Sequence, residues 1–473
     1  MGDPRRKRLV LPAMAVGLLL GMLASALAFQ QLQRWMGSRS PSPVPQGEIR
    51  LEALREVLEI LDAEYFKSFR CRDLLNGAVA GLRRALKEAE IDPAALADLP
   101  PGDDLNLLWR AFQAEFARAE ERASGKIPRA DLIYAALEGM LSVLGDPYTV
   151  ALTPDEYRRL DEQMSGGNFG GVGIYIEQDQ RHSGRLTIVE PIEGSPAARA
   201  GLQPGDWIVR INDRDTAGMD TEEAASLIRG PVGTRVTLTL KRAGQEPFSV
   251  VLERQTIHVK SASTRMLPGQ VAYIRLRFFG EDTRQEFAEA LKVAQEQGAR
   301  ALILDLRGNG GGYVNAALDV CAHFVPPGKL VTQVVNPRTS RNEQHYSPGS
   351  RSPTVKIPLV VLVNNWSASA SEITAGALKD HGLATLLGEK TFGKASVQAI
   401  HLLPDGGAVK YTVAHYLTPR GRDIHRQGIE PDIVVKLPEG EGHGWLQRSQ
   451  DLLKDPQIQA ALHYLEKRLA AGK

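Results

Sequence analysis

Cysteine is scarce in this 473-residue chain, which contains only Cys71 and Cys321 and no C-x-x-C motif. This scarcity excludes a disulfide-rich scaffold and a cysteine-ligated zinc site. We predict that both cysteines are small buried hydrophobic residues, and the sequence leaves a disulfide between them open. The ten histidines include no H-E-x-x-H motif and no close pair. Their spacing argues against a zinc hydrolase, so no metal is expected.

An excess of charge of either sign is also absent. Fifty-seven Lys and Arg residues are balanced by 56 Asp and Glu residues, which leaves a net charge of +1 at pH 7. Binding along a nucleic-acid backbone requires an excess of basic residues, so we do not expect nucleic acid as a partner. With 43% hydrophobic and 24% charged residues, the composition is typical of a globular protein with two or three domains.

One long hydrophobic run is present, at the N-terminus. The basic residues 5–8 precede 21 uncharged residues from Leu9 to Phe29, close to the roughly 20 needed to span a bilayer. Small residues at 24–28 also fit a signal-peptide cleavage site. An uncleaved anchor and a removed signal peptide both place the basic cluster inside and export the rest of the chain. A buried core helix is disfavoured because the run lacks a polar face.

The pattern of apolar residues and turn residues divides the chain into five segments. Helical spacing of leucines, then short β-rich runs separated by turns, then alternating strands and helices mark the boundaries. The predicted segments are a signal sequence or membrane anchor with a Pro/Ser linker (1–46), a helical region (47–165), a β-rich module (166–256), an α/β core around a mainly parallel sheet (257–440) and a C-terminal helical segment (441–473).

The stretch WSASASEI, residues 366–373, places Ser369 between an apolar run of strand length and a helix predicted to end at His381 and Gly382. Two interpretations fit this position. Ser369 and Glu372 have the spacing of a capping box. A turn at the carboxyl end of a strand also projects its side chain into a crevice, as a nucleophile requires. These eight residues do not decide between the two, because a serine nucleophile needs a base.

A lysine is the best candidate for that base. No histidine has a recognisable triad context, and the chain has no G-x-S-x-G elbow. A lysine made neutral by burial can take the role of the histidine. Lys394, in GEKTFGKASVQ, has little other charge around it, whereas Lys390 adjoins Glu389, which favours the charged form of that lysine. Taken alone, Lys394 also fits an ordinary surface lysine.

The stretch ALILDLRGNGGGYVNAALDV combines a buried strand, a glycine-rich turn and a helix. Backbone N–H groups at such a turn can stabilise an oxyanion, although a glycine-rich turn can equally do nothing more than reverse the chain. It is not a dinucleotide-binding fingerprint, because Tyr313 stands where the third glycine is required.

In this order, LDLRGNGGG, NNWSASASEITAGALKD, TFGKASVQ and YLTPRGRDIHRQGIEPDI resemble the successive core motifs of the C-terminal processing peptidases, the tail-specific serine proteases. LGDPYTVALTPDEY resembles the stretch before their PDZ module, and DPQIQAAL resembles their C-terminal segment, so that the similarity covers roughly residues 128–465. The resemblance implies an α/β peptidase core, with a crotonase/ClpP-like arrangement of sheet and helices, an inserted β-rich PDZ domain and a helical N-terminal region.

The resemblance also implies the catalytic residues. The family's nucleophile is the middle serine of S-A-S-A-S-E, which is Ser369 here, and its general base is the lysine of T-F-G-K, which is Lys394. Gln398, four residues later, is expected to orient that lysine. The 25 positions between Ser369 and Lys394 match the spacing expected of the two motifs.

The oxyanion hole implied by the family consists of two backbone N–H groups. One belongs to Ala370, and the other to the glycine-rich turn, with Gly311 expected ahead of Gly312. Ser367 and Ser371 then have structural roles.

Two features depart from the family pattern. Ala395 stands where the family usually has glycine, a small change that leaves the base in place but can shift its loop. The region near 91–126 reads as an insertion, for which an enlarged helical cap or a dimerisation arm is our hypothesis.

The stretch NFGGVGIYI resembles the carboxylate-binding loop of a PDZ domain. The backbone N–H groups of Gly170, Gly171 and Val172 are expected to hold a terminal carboxylate, while an incoming peptide adds a strand beside Val172 to Ile174. The alternative is that GGVG is only a bend. The predicted peptide-binding residues are Phe169, Gly170, Gly171, Val172, Gly173 and Ile174.

Two functions of different classes fit the sequence. The first is an exported serine endopeptidase of the cell envelope or periplasm, which captures polypeptide C-termini and cleaves nearby apolar segments without metal or cofactor. The second is a catalytically quiet PDZ scaffold, disfavoured because binding does not require Ser369, Lys394 and Gln398 together. An HtrA-type protease fits less well, since its PDZ domain follows the catalytic domain. The peptidase hypothesis leaves room for an adaptor protein and a homo-oligomer.

Overall fold

The computed structural model describes residues 47–94, 96–164, 168–179, 184–192, 194–348, 355–437 and 452–471. The predicted signal sequence or anchor and its linker, 1–46, lie outside these ranges, as does the first part of the predicted C-terminal segment, 441–451. Within the ranges given, no helix has both the length and the apolar character needed to cross a membrane.

The N-terminal region is helical, as its leucine spacing predicts. Its helices are α1 (Glu52–Glu64), α2 (Cys71–Glu88), α3 (Leu105–Ala123) and α4 (Arg129–Ser142). The backbones of helices α2 and α4 are in direct contact. A Cβ at Gly81 would lie only 2.0 Å from the carbonyl oxygen of Ala135, so glycine is required there. The predicted insertion supplies α3, whose Phe112 and Phe116 are buried in the same hydrophobic core. Strand β1 (Val150–Leu152) and helix α5 (Pro154–Met164) follow.

A β-rich module comes next. Its strands are β2 (Asn168–Gly171), β3 (Ile174–Asp179), β4 (Arg185–Pro191), β5 (Trp207–Ile211), β6 (Arg214–Asp215), β7 (Arg235–Lys241), β8 (Phe248–Glu253) and β9 (Gln255–His258), with helices α6 (Pro196–Arg199) and α7 (Thr221–Ile228). The main sheet has the order β3-β4-β5-β7-β8, with β6 on β5, while β2 pairs separately with β9. Strand β3 is therefore an edge strand of the described sheet.

The last region is an α/β core. Its helices are α8 (Thr283–Glu296), α9 (Val314–Cys321), α10 (Ala370–Asp380) and α11 (Pro456–Ala471). Its strands are β10 (Ala262–Leu267), β11 (Val271–Leu276), β12 (Ala301–Asp305), β13 (Leu330–Asn336), β14 (Arg341–Tyr346), β15 (Leu359–Val363), β16 (Thr385–Gly388), β17 (Ser396–Leu402), β18 (Ala408–Leu417) and β19 (Ile433–Val434).

The central sheet of the core has the order β10-β11-β12-β15-β16-β19. Strand β10 is antiparallel to β11, and the other neighbours are parallel, which confirms the predicted parallel sheet. Strands β12 and β15 are buried at every residue, as expected of strands covered on both faces. Helices α8, α9 and α10 pack on one face and α11 packs on the other.

A second sheet joins the core to the N-terminal region. In it β18 pairs with β1, β13 and β17, and β14 extends the sheet beside β13. Val409 and Tyr411 of β18, with Leu403 of the turn before it, are buried in the hydrophobic core formed by the N-terminal helices. Since β1 follows α4, this sheet holds the helical region against the strands that follow Lys394.

Both cysteines are free thiols, and no disulfide joins them. The prediction of burial is confirmed for Cys321, which lies on α9 in the core. It is wrong in part for Cys71, the first residue of α2, which packs against the edge of the N-terminal core and is only partly buried.

Candidate active site

Ser369 occupies the turn between β15 and α10, immediately before the first helical residue, Ala370. Its backbone has φ +56° and ψ −118°, a conformation that is rare for a residue with a side chain. Such strain occurs mainly where function requires it. The Glu372 carboxylate accepts a hydrogen bond of 3.0 Å from the Ser369 N–H, which is one half of the predicted capping box. Ser369 therefore begins the helix and also has the strained geometry of a functional residue.

The two neighbouring serines hold this turn in place. The Ser367 hydroxyl donates to the carbonyl oxygen of Leu306 at 2.8 Å. The Ser371 hydroxyl donates to the carbonyl oxygen of Asn309, also at 2.8 Å. Both serines are buried. Both bonds run to the glycine-rich turn, so the two serines attach that turn to the start of α10.

The glycine-rich turn lies against Ser369. A Cβ at Gly311, which has φ +105°, would be 2.7 Å from the Cβ of Ser369 and 3.0 Å from the Ala370 nitrogen. The Gly311 N–H donates to Asn309 Oδ1 at 2.9 Å. Among the described residues, the N–H groups of Ala370 and Gly312 have no hydrogen-bond partner. This geometry favours Gly312 over Gly311 as the second donor of an oxyanion hole, the reverse of the order expected from the sequence.

Lys394 has the environment of a base. Burial is the main cause that lowers the pKa of its ammonium group, and the positive charge of Lys410 lowers the pKa further. The carboxylates of Asp146 and Glu372 act in the opposite direction. The Lys394 ammonium lies 4.9 Å from the centroid of the Tyr148 ring. A lowered pKa increases the neutral fraction, which is the form that can accept a proton.

The alternative lysine does not share this environment. The Lys390 ammonium forms an ion pair of 2.8 Å with Glu430, and both side chains are more than half exposed. Lys390 therefore lacks the burial that lowers the pKa of Lys394. The structure therefore favours Lys394 over Lys390, as the sequence predicts.

The three predicted catalytic side chains are not directly hydrogen-bonded to one another. Gln398 donates from Nε2 to the Ser396 hydroxyl at 2.8 Å. Within the described part of the chain, Lys394 Nζ forms no hydrogen bond with Ser369 or Gln398. Catalytic hydrogen bonds often form only once substrate is bound. The role of Gln398 in orienting Lys394 stays a prediction.

Glu372 joins the loop of Ser369 to the loop of Lys394, a role that the sequence analysis missed. This carboxylate is fully buried. One oxygen accepts from the Thr391 hydroxyl at 2.6 Å and the Gly393 N–H at 2.8 Å. The other oxygen accepts from the N–H groups of Ser369 at 3.0 Å and Lys394 at 2.9 Å. Burial raises the pKa of the Glu372 carboxyl, and these hydrogen bonds oppose the rise.

Tyr416 also contacts both loops and was missed by the sequence analysis. Its hydroxyl lies 3.0 Å from the carbonyl oxygen of Ser369 and 2.5 Å from that of Lys394. Burial raises the pKa of Tyr416 well above its usual value, so the hydroxyl stays protonated and can donate. Its position on β18, 22 residues beyond Lys394, gives no local signal in the sequence.

The loop after α4 forms one side of the base site. The Asp146 carboxylate accepts hydrogen bonds from the hydroxyls of Thr149 at 2.7 Å and Thr412 at 2.6 Å. Since Thr412 lies on β18, these bonds fix the loop against the second sheet. They thereby hold Tyr148 beside Lys394. The resemblance of the LGDPYT motif to the stretch before the family's PDZ module did not predict the contact of Tyr148 with Lys394.

The predicted peptide-binding residues lie at the start of the β-rich module. Gly170 and Gly171 belong to β2 and are paired with β9. The loop between β2 and β3 therefore consists of Val172 and Gly173. The binding of a terminal carboxylate by the N–H groups of Gly170, Gly171 and Val172 stays a prediction. Strand β3 begins at Ile174 and leaves one edge open to an added strand. The guanidinium of Arg229 lies over the Phe169 ring, with 4.6 Å to its centroid.

Known proteins share long stretches of this sequence. A "Carboxyl-terminal-processing protease" of Synechocystis sp. is 42% identical over 310 residues, which are 64% of this chain and 71% of that protein. The chain belongs to the carboxyl-terminal-processing protease family. The "Carboxy-terminal processing protease CtpA" of Bacillus subtilis is 38% identical over 337 residues, 71% of this chain and 69% of that protein. The resemblance stated from the motifs is thus confirmed.

Two family models match separate parts of this processing-protease sequence. The model of peptidase family S41 matches residues 270–435, which include Ser369 and Lys394, and a PDZ-domain model matches residues 187–242. A solved "Photosystem II D1 C-terminal processing protease" is 30% identical, with 81% of this chain and 98% of that chain covered and a TM-score of 0.43. The chain therefore combines an S41 peptidase region with a PDZ domain.

Proposed function

We propose that this protein is an exported serine endopeptidase that hydrolyses peptide bonds with Ser369 and Lys394. The observation that carries the proposal is the buried Glu372 carboxylate, which binds the backbone N–H groups of both residues. These bonds hold the backbone of Ser369, which is strained, at a fixed distance from the backbone of Lys394, whose pKa is lowered. A peptide-binding scaffold has no need of this arrangement.

The chemical steps follow from the residues at the site. Neutral Lys394 accepts the proton of the Ser369 hydroxyl while Ser369 Oγ attacks the scissile carbonyl carbon. The N–H groups of Ala370 and Gly312 stabilise the resulting oxyanion. Protonated Lys394 then donates its proton to the leaving amine as the C–N bond breaks, which yields an acyl-enzyme. Lys394 next removes a proton from water while the water oxygen attacks the ester carbonyl carbon. Lys394 then returns this proton to Ser369 Oγ as the ester C–O bond breaks, which releases the carboxylic acid product and restores the serine hydroxyl.

The β-rich module is proposed to select the substrate. An extended polypeptide C-terminus adds a strand to the open edge of β3, and its carboxylate lies at the loop of Val172 and Gly173. The substrates are then polypeptides with free C-termini, cleaved in nearby apolar segments. No metal or cofactor takes part in these steps.

The proposed architecture and location of the protein rest on the central sheet and on the N-terminal hydrophobic run. The parallel central sheet, covered by helices on both faces, supports a crotonase/ClpP-like core. The hydrophobic run at 9–29 supports export to the cell envelope or periplasm, as an anchored or a processed protein. An adaptor protein and a homo-oligomer are part of this hypothesis, with α3 as the candidate arm for self-association.

Mass spectrometry of digests tests the proposed function. The full chain and its Ser369→Ala variant are each incubated with one unfolded polypeptide, prepared with either a free apolar C-terminus or an amidated one. We expect fragments only from the wild-type protein, and far more from the free-carboxylate substrate. Cleavage by Ser369→Ala at the wild-type rate would exclude Ser369 as nucleophile. Equal cleavage of both substrates would exclude capture of the carboxylate.

A further inference from the structure

A buried group of charges lies directly behind the glycine-rich turn, and nothing in the catalytic scheme uses it. Arg307, 2% exposed, donates to both carboxylate oxygens of Asp305 at 2.9 and 2.7 Å. It also donates from one terminal nitrogen to Asp455 at 2.7 Å and to the side-chain oxygen of Gln457 at 2.8 Å. Tyr273 donates to Asp305 at 2.8 Å. Asp305 and Asp455 are buried as well, so the cluster is closed to water.

Two of these partners come from the far end of the chain. Asp455 immediately precedes α11 and lies 148 residues beyond Arg307. Helix α11 packs through Ile458, Ala461 and Leu465 on the face of the central sheet opposite α10. The C-terminal segment therefore reaches Arg307 from the side of the sheet that does not carry the helix of Ser369.

Arg307 is the second residue of the tight turn that opens the glycine-rich stretch. The Asn309 N–H donates to the Leu306 carbonyl at 3.2 Å, and Gly308 has φ +72°, as the third position of a type II turn requires. The Arg307 side chain makes four hydrogen bonds, and its backbone N–H donates a fifth to Asp305. Because Arg307 is the second residue of the turn, these bonds also fix the orientation of the turn.

The turn transmits that orientation to the proposed oxyanion site. The Asn309 side chain accepts from the Gly311 N–H at 2.9 Å. The Asn309 carbonyl accepts from the Ala368 N–H at 3.0 Å. A path of hydrogen bonds and turn backbone therefore runs from Asp455, through Arg307 and Asn309, to Gly311 and to Ala368, which precedes Ser369.

We infer that Asp455 and Gln457 of the C-terminal segment are positioning residues for the oxyanion hole, acting through Arg307 on the backbone of Gly311 and Gly312. The inference rests on the proposed peptidase function and extends it. The C-terminal segment thereby controls the rate of the chemical step and leaves substrate binding unchanged.

Asp455→Asn in the full-length protein tests the inference. Asparagine keeps an oxygen that can accept the N–H groups of Gln457 and Ile458 at the start of α11, but it removes the negative charge from Arg307. Two quantities are measured on a short fluorogenic peptide, with active sites titrated. These are kcat with KM, and the inhibition constant of a peptide boronic acid, whose tetrahedral adduct with Ser369 occupies the oxyanion hole.

We expect kcat to fall about 10- to 100-fold, as for a small displacement of catalytic groups, with KM unchanged within about twofold. The boronic acid should lose affinity by a similar factor, because its adduct depends on the same two N–H groups. Arg307→Lys, which keeps the charge but lacks the planar fork that contacts both carboxylates, should have the same effects.

Two control variants separate positioning from stability. Gln459→Ala removes an exposed side chain of the same segment, which donates to the carbonyl oxygen of Leu453 and to none of the residues of the cluster. Asp206→Asn breaks the ion pair between the buried Asp206 carboxylate and the partly exposed Arg242 in the β-rich module. Both should retain the kcat and boronic acid affinity of the wild-type protein on the short peptide.

An unchanged kcat in folded Asp455→Asn and Arg307→Lys proteins would overturn the inference. A reduced kcat with unchanged boronic acid affinity would overturn it too, because the loss would then lie outside the oxyanion hole. Absence of Ser369-dependent cleavage by the wild-type protein is a separate result, which would reject the proposed function itself.

Discussion

At the scale of single residues, the chemistry depends on charges that the motifs do not contain. The pKa of Lys394, the proposed base, is lowered by burial and by the positive charge of Lys410. Lys410 is on β18, between Val150 of β1 and Ile400 of β17. Its own pKa is also lowered by burial. The positive charge of Lys410 disfavours protonation of Lys394.

Replacement of Lys410 should change the pH dependence of activity. In Lys410→Met the positive neighbour is lost, so the pKa of Lys394 rises. Because Lys394 must be neutral to act, the acidic limb of kcat/KM against pH should move to higher pH. Lys390→Met, which removes an exposed lysine, should leave the profile unchanged. A profile of Lys410→Met that coincides with the wild-type curve would show that Lys410 does not influence the base.

The Glu372 carboxylate should be required for both activity and stability. In Glu372→Gln one of the two accepting oxygens becomes an NH2 group, which faces backbone donors and cannot accept from them. We expect kcat to fall by about 10- to 100-fold and the free energy of unfolding to fall by about 1–3 kcal/mol. Peptide hydrolysis and urea denaturation measure the two effects. Glu430→Gln, at an exposed ion pair, should change neither, and an equally active Glu372→Gln protein would contradict the role assigned here.

At the scale of elements, the site is a meeting of two βα turns at the carboxyl edge of a parallel sheet. Strands β12 and β15 are adjacent, so the turns that follow them, with Gly311 and Ser369, lie in contact. This is the position where open α/β sheets place their ligands. The hydrogen bonds of Ser367 and Ser371 then hold the two turns together.

Alanine substitution should affect peptidase activity very differently at the adjacent residues Gly310 and Gly311. In Gly311→Ala the new methyl group would lie 2.7 Å from the Cβ of Ser369, at a φ of +105°. We therefore expect Gly311→Ala to lose most peptidase activity. A Cβ at Gly310 meets no atom within 4 Å, so Gly310→Ala should remain active. Initial rates on a short peptide compare the two, and equal activity of both variants would contradict this account of the turn.

At the scale of the whole molecule, the helical region and the peptidase core are physically joined. The second sheet contributes buried side chains to the core of the N-terminal helices. The loop after α4 extends to Lys394, where it places the Tyr148 ring. A substitution that displaces these helices should therefore also displace Lys394, through β18 and this loop.

A substitution between α2 and α4 tests this connection. The backbone contact at Gly81 leaves no room for a side chain, so Gly81→Val should force the helices apart. We expect a loss of about 1–3 kcal/mol in the free energy of unfolding, as for overpacked cores, and a lower kcat. Ala80→Val places the same side chain on the exposed face of α2 and should be nearly neutral. Thermal unfolding and peptide hydrolysis are the measurements, and a Gly81→Val protein as stable as Ala80→Val would contradict the packing.

Much of the fold follows from local patterns in the sequence. Leucines at helical spacing predict the N-terminal helices, and alternating apolar runs and helices predict the parallel sheet. These features are readable because a helix or a buried strand imposes its period on consecutive residues. Ser369, Lys394 and the glycine-rich turn could also be proposed from the sequence, because each lies in a short motif and the motifs occur in the family's order.

Other features depend on contacts between residues far apart in the chain, and only the tertiary structure decided them. No local pattern places Tyr148 beside Lys394, joins Glu372 to both catalytic loops or brings Asp455 to Arg307. The pairing of β2 with β9 and the preference for Gly312 over Gly311 depend likewise on which hydrogen bonds the folded chain has already formed. The sequence by itself determined the element types, the family and the candidate nucleophile and base, because these are encoded in consecutive residues. The separation of Ser369 and Lys394, the pKa of Lys394 and the hydrogen bonds that hold both residues depend on tertiary packing. Burial and long-range hydrogen bonds exist only once the chain has folded.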